Sequence, residues 1–226
     1  MDCNSGGTSA PTGNIIYLNG TSSAGKSSLA GALQAMLADP YLHFSLDRFN
    51  GMFPARYVSV QSFEEPIPPL ASEGIVLRHE WVDDQLRLDA AMGPVARRFI
   101  AGMRQCVRAL ALAGNHVIVD DVLCGREFLA ECVAALDGLP VAFIEVHCPL
   151  PEVARRERER GDRLLGLAAW QLPRIREDAV YDLTVDTGRD SPEECARRVA
   201  RLLAAPPHPS AFERLRQSLA GESRGR

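Results

Sequence analysis

Residues 20–27 read Gly20-Thr21-Ser22-Ser23-Ala24-Gly25-Lys26-Ser27. They fit G-x-x-x-x-G-K-[ST], the loop that cradles phosphate groups. The two glycines let the backbone curl so that successive N–H groups point at phosphate oxygens. In this pattern Lys26 reaches the terminal phosphates and the Ser27 hydroxyl ligates Mg²⁺, with Ser28 next in line at the helix start. The flanks agree. Asn14-Ile15-Ile16-Tyr17-Leu18-Asn19 reads as a buried strand. Leu29, Ala32, Leu33, Met36 and Leu37 then follow the stripe of an amphipathic helix. Strand, glycine-rich turn and helix N-terminus together make an anion site. The expected ligand is ATP with Mg²⁺. The candidate binding residues are Gly20, Thr21, Ser22, Ser23, Ala24, Gly25, Lys26, Ser27 and Ser28.

Lys26 is the only lysine among 25 basic residues; all the others are arginine. A chain that uses arginine everywhere else keeps an ammonium here. A compact point charge and a planar fork are not interchangeable where phosphate oxygens crowd a loop.

The 226 residues suit one α/β domain, and 46% hydrophobic content is enough for its core. A net charge of −4 disfavours a nucleic-acid scaffold. No apolar run is long enough to span a membrane. Residues 1–13 are small and polar and read as a disordered tail rather than a signal peptide. The six cysteines show neither C-x-x-C nor zinc spacing, so a reducing cytoplasm is expected. Cys106, Cys132 and Cys195 fall in predicted helices and read as small buried hydrophobes. Cys124 follows the third strand, where a reactive thiol is the sharper alternative.

Further strands are predicted at 41–47, 116–119, 141–147 and 181–186. Helices are predicted at about 94–113, 126–137, 149–161 and 192–203. The stretch 162–180 reads as helical but broken by Pro173, and Ala211 to Leu219 as one more short helix. Strands alternating with helices imply a five-stranded parallel sheet with helices on both faces, the phosphate-loop nucleotide-hydrolase class. Residues 14–204 form that domain, with 205–226 as a C-terminal extension. Residues 48–95 are proline-rich and aperiodic and read as an insertion at the acceptor site. A hairpin between Ile75–Arg78 and Gln85–Leu88 lies inside it.

Ligands of such sheets sit beyond the carboxyl ends of the strands. Those ends carry Gly20, Asp47, Asp120-Asp121, His147-Cys148 and Asp186-Thr187. Buried acids are costly without partners, so they suggest a cation or a proton to be moved. Asp120 is placed to hold Mg²⁺ with Ser27. Asp47 is the better general base, with a turn role as its alternative. Residues 155–163 hold five arginines among acids. Arg156, Arg160 and Arg163 share one helix face and read as a lid, about residues 155–165, closing over the phosphates. A solvated face is the alternative for Arg155 and Arg158.

GTSSAGKS, the SLD of 45–47, VIVDDV at 117–122, RERERGDR at 156–163 with the following GLAAWQ, and YDLTVDT at 181–187 resemble the chloramphenicol phosphotransferase family. These bacterial kinases phosphorylate a hydroxyl of a small antibiotic. The resemblance covers most of 14–203 and implies a nucleoside-monophosphate-kinase-like fold. It implies Asp47 as catalytic base, Lys26 and Ser27 on ATP·Mg²⁺, and Arg156, Arg160 and Arg163 in the lid. The segment 48–95 departs from the family in length and in carrying Arg56, Arg78, His79 and Arg87. The expected activity is transfer of the γ-phosphoryl group of ATP to a small-molecule hydroxyl. Its rivals are a nucleotide or sugar kinase, for which those arginines would clamp a phosphate, and a regulatory ATP-binding switch. The sequence leaves the acceptor and any homo-oligomer open.

Overall fold

The computed structural model describes residues 11–83, 85–161 and 164–222. Along the chain run β1 (Ile15–Asn19), α1 (Lys26–Met36), β2 (Tyr41–Ser45), α2 (Leu46–Asn50), β3 (Val58–Gln61) and α3 (Pro69–Glu73). Next come β4 (Ile75–Val82), β5 (Gln85–Met92), α4 (Pro94–Leu112), β6 (His116–Asp121), α5 (Arg126–Ala135) and β7 (Val141–His147). The chain continues through α6 (Leu150–Arg160), α7 (Leu167–Ile175), β8 (Leu183–Asp186), α8 (Pro192–Ala204) and α9 (Ala211–Glu222).

The main sheet is five-stranded and parallel in the order β2-β6-β1-β7-β8, as expected. Its central strand explains the two-sided core. All five residues of β1 are buried. Because side chains alternate along a strand, Ile15 and Tyr17 enter one cluster, with Met103, Val107, Leu129, Val133 and Phe212. Ile16 and Leu18 enter the other, with Leu29, Leu33, Val153, Cys195 and Val199. Helices α4, α5 and α9 therefore cover one face, and α1, α6, α7 and α8 the other. Phe212 brings α9 into the first core, tilted against Tyr17 and edge-on to Phe143. Among the described residues no helix is long and apolar enough to cross a membrane.

Several local expectations change. Strand β2 stops at Ser45, which is extended and takes the N-cap position of α2. Asp47 therefore stands in the first turn of a short helix rather than at the strand's end. The hairpin is longer than expected and pairs all of β4 with β5. It is also joined by β3, parallel to β4, into a second, three-stranded sheet. Strand β8 begins at Leu183, because the Asp182 carboxylate is committed beforehand, accepting from the Phe143 and Ala211 N–H groups (2.9 and 2.6 Å). Pro173 lies inside α7, which runs on only to Ile175. Gly161 closes α6 in a left-handed conformation (φ 68°) instead of lying within a flexible row. Cys132 and Cys195 are buried as expected, but Cys106 is exposed.

Ser191 caps α8 in a reciprocal box, its hydroxyl accepting from the Glu194 N–H while the Glu194 carboxylate accepts from its own. Gly20 is among the glycines fixed by close approach. A Cβ at Gly20 would lie 2.4 Å from the Val146 carbonyl oxygen. Overpacking of this kind typically costs about 1–3 kcal/mol. Gly20→Ala should therefore lower the urea midpoint by that order, with Gly31→Ala as a control whose Cβ meets nothing within 4 Å. Equal midpoints for the two variants would refute the packing argument.

Candidate active site

The loop after β1 lies along a cleft of about 1060 Å³. Gly25 adopts φ 90° and Ser23 φ 58°, the left-handed bends that turn loop amides inward. Lys26 is buried and its Nζ donates to the carbonyls of Gly20 (3.1 Å) and Thr21 (2.9 Å). The same ammonium lies 3.8 Å from Asp120 Oδ1. Ser27 Oγ donates to Asp120 Oδ2 at 2.6 Å, and His43 Nε2 stands 3.5 Å from that oxygen. Burial would push the Asp120 carboxyl up. His43, Lys26 and Ser27 together outweigh it and hold the group below its ordinary 3.8. Among the described residues the buried Ser23 hydroxyl has no hydrogen-bond partner, and Ser23 lines the cleft beside the loop.

The cleft brings together Ser22, Ser23, Gly25, Lys26, Ser27, Ser28, Asp47, Asp120, Arg156 and Arg160. Gly20, Thr21 and Ala24 complete the loop from behind. Gly20 and Thr21 supply carbonyls to Lys26, and the Ala24 carbonyl accepts from the Thr187 hydroxyl at 2.6 Å. Arg163 lies outside the described residues. The second acid of β6 is used elsewhere: Asp121 accepts from the buried Tyr17 hydroxyl and from the Val122 N–H (2.6 Å). Asp186 is a turn acid, accepting from the Gly188 N–H at 2.9 Å. Cys124 lines the cleft, but burial pushes its thiol up to about 12, so it is no thiolate at neutral pH.

The arginine-rich helix is split between solvent and structure. Arg155 is exposed and pairs with Glu152 and Glu159. Arg156 Nη2 donates to the Thr187 carbonyl (2.9 Å) and its Nε to Glu152 (2.9 Å). Glu157 is buried to 1% and accepts from the Gly166 and Ala168 N–H groups (3.0 and 2.9 Å). That carboxylate caps the start of α7, which sequence reasoning missed because one buried glutamate in a charge run looks like its solvated neighbours. Gln171 on α7 was also missed; its Oε1 accepts from the Ser22 N–H at 2.7 Å. So was Asn19, fully buried, which accepts from the Leu123 N–H and donates to the Tyr181 hydroxyl, both at 2.8 Å.

Beyond Asp47 the cleft wall is mostly apolar, its polar members being Asn50, Asp89 and Arg97, the last paired to Glu127 at 2.7 Å. Register pairs Ile75 with Met92 and Leu77 with Ala90 on the hairpin. All four line the cleft with Leu88, Val122 and Phe128. Arg78 is bound to Asp89 and Arg87 to Glu80, both at 2.7 Å, and both stack on Phe63. Arg56 lies over Tyr57. None of these three arginines, nor His79, lines the cleft.

Because the folded pKa of Asp120 lies below its unfolded value, its contribution to stability is complete above about 3.8. It is lost as pH falls through the folded value. Asp120→Asn should therefore flatten the acid limb of the stability profile. Parallel acid limbs in wild type and variant would contradict the charge array described above.

The chain has recognisable relatives. The model of the family described as chloramphenicol phosphotransferase-like protein matches residues 13–204. Two Mycobacterium tuberculosis proteins (strains CDC 1551 and H37Rv), each named "Putative O-phosphotransferase", are 33% identical over 207 residues, covering 92% of this chain and 89% of theirs. Among solved structures, the Mycobacterium tuberculosis APS kinase in complex with AMPPNP and APS aligns with TM-score 0.60 and 17% identity, over 86% of this chain and 99% of that one. A sugar kinase from Janibacter sp. HTCC2649 aligns with TM-score 0.57 and 18% identity, over 88% and 99%. A Sinorhizobium meliloti gluconokinase aligns with TM-score 0.52 and 19% identity, again over 88% and 99%. At these identities the structures share the fold with this chain. The chain belongs to the chloramphenicol phosphotransferase-like family.

Proposed function

We propose that this protein is an ATP-dependent phosphotransferase that moves the γ-phosphoryl group of ATP to a hydroxyl of a small, largely apolar molecule. The observation that carries this reading is one cleft lined by the phosphate loop, the Ser27–Asp120 pair, Arg156, Arg160, Asp47 and an apolar wall. The residues fit a nucleotide phosphate, because the loop is bent for anions and, among the described residues, the buried Ser23 hydroxyl beside it has no partner. They fit Mg²⁺, because a hydroxyl and a carboxylate converge and hard oxygens are what that ion takes. Mg²⁺ is commonly held by one or two protein oxygens plus phosphates, and among the described residues no larger His, Cys, Asp or Glu cluster forms.

When bound, ATP·Mg²⁺ supplies the transferable phosphoryl group and a leaving group whose charge the metal neutralises. Lys26 would offer its ammonium to the phosphate oxygens. Arg156 and Arg160 line the same cleft and would neutralise charge there. Asp47 accepts the proton of the acceptor hydroxyl. The apolar hairpin face desolvates and orients that acceptor. A nucleoside monophosphate as acceptor is the weaker reading, since Arg78 and Arg87 are bound to acids on the hairpin. The family suggests chloramphenicol as the first acceptor to try, a role in antibiotic resistance and a cytoplasmic setting.

The test is ADP release with chloramphenicol and a panel of hydroxyl compounds. Lys26→Ala and Lys26→Arg should both lose acceptor-dependent turnover while still folding, as judged by circular dichroism. Near-normal turnover in either would remove the loop from the mechanism. Asp47→Asn keeps shape and removes the proton acceptor. General-base help is typically worth about 10²–10⁴-fold, so kcat should fall at least about 100-fold with ATP affinity little changed. Collapse of ATP affinity instead would make Asp47 a metal ligand.

A further inference from the structure

Helix α7 carries the GLAAWQ stretch, to which the reaction above assigns no role. Its cleft-lining residues are Leu167, Trp170, Gln171 and Arg174, the i, i+3, i+4, i+7 stripe of one helix face. Two features hold that face in place. The Glu157 carboxylate grips the N–H groups at the start of the helix. Arg174 donates to the Trp170 carbonyl (2.6 Å) and stacks on the Trp170 ring at 3.8 Å. Between them sits Gln171, 9% exposed, with its Oε1 on the Ser22 N–H of the phosphate loop at 2.7 Å.

A carboxamide has one acceptor end and one donor end. A backbone N–H can only be met by the acceptor, so Ser22 fixes which way the group points. The Nε2 end is left, and among the described residues nothing accepts from it. Both Ser22 and Gln171 line the cleft beside Lys26. We propose that Gln171 is a ligand of the terminal phosphoryl group of ATP, its Nε2 donating to a γ-phosphoryl oxygen while Ser22 holds the amide in register. The proposal rests on the reading of this cleft as an ATP site. It gives α7 a second task beside packing: the helix anchored by the arginine-rich segment carries a neutral donor to the group being transferred. A neutral donor suits that place, because it favours the phosphoryl oxygens without adding a charge to those of Lys26 and the lid.

The test separates the donor from the acceptor. Gln171→Glu keeps an acceptor for Ser22 and removes the donor. Gln171→Met removes both and adds no charge. The dissociation constants of ADP and of AMPPNP, each with Mg²⁺, are measured by calorimetry. A lost hydrogen bond to a charged group predicts about tenfold weaker AMPPNP binding in both variants, with ADP binding unchanged. Loss in Gln171→Glu alone would mean charge repulsion and would overturn the proposal. Loss in Gln171→Met alone would leave Gln171 only as a brace for Ser22 and would also overturn it. So would an equal loss of both nucleotides, or no loss at all. A wild type that binds neither nucleotide overturns the ATP-site reading itself and this proposal with it. Should Gln171→Met fail to fold, nitrogen NMR of the wild type decides, with the Gln171 side-chain amide identified by its absence in Gln171→Glu. That signal should shift on adding AMPPNP and not ADP. A signal that ignores AMPPNP overturns the proposal.

Discussion

The structure turns on keeping one ammonium buried. Lys26 is 7% exposed, and an isolated charge in such a place carries an effective penalty of several kcal/mol. The penalty is offset by groups from two strands. The Gly20 and Thr21 carbonyls come from the loop after β1, and the Asp120 carboxylate comes from β6 beside it. The parallel register that pairs Asn19 with Asp121 thus also delivers the acid to the lysine. Asp120 in turn needs its partners, and Ser27 and His43 supply them. An arginine could not fill this role, because its planar fork cannot converge on two neighbouring carbonyls and a carboxylate as a point donor does.

The same economy of partners ties the outer helices to the loop. Thr187 receives Arg156 on its carbonyl and donates its hydroxyl to the Ala24 carbonyl. Gln171 takes the Ser22 N–H. Helices α6 and α7 therefore touch the phosphate loop at two points, one through β8's end and one directly. The charge run along α6 has three uses at once. Arg155 is solvated and paired to acids on its own helix, Arg156 reaches the loop's neighbour, and Glu157 is buried as a helix cap.

How much of this was legible follows from locality. The phosphate loop, β1 and α1 are written in contiguous residues whose backbone needs are local, and the lone lysine marked the site. The apolar runs of β6 and β7 announced a sheet covered on both faces. Cys106 was misread because the buried stripe of its helix runs through Ile100, Met103, Arg104, Val107 and Ala111, and Cys106 falls just off it. Asp47 was displaced by an N-cap, since Ser45 can end a strand or start a helix and only the tertiary setting chooses. Strand β3 was invisible, being four residues long with Val58 and Val60 exposed and with a partner that follows a helix later. Glu157 and Gln171 gave no signal because their partners are backbone N–H groups, which carry no residue code. The largely apolar cleft wall was hidden for the opposite reason: Arg78 and Arg87 stood out in the sequence, but Asp89 and Glu80 neutralise them on the hairpin.

The most direct measurement of the central claim is phosphorus NMR of the protein with ATP, Mg²⁺ and candidate hydroxyl acceptors. The account predicts a new phosphomonoester signal that grows one for one as the γ-phosphorus signal of ATP falls. Inorganic phosphate growing in its place, or ATP left intact with every acceptor, would contradict it.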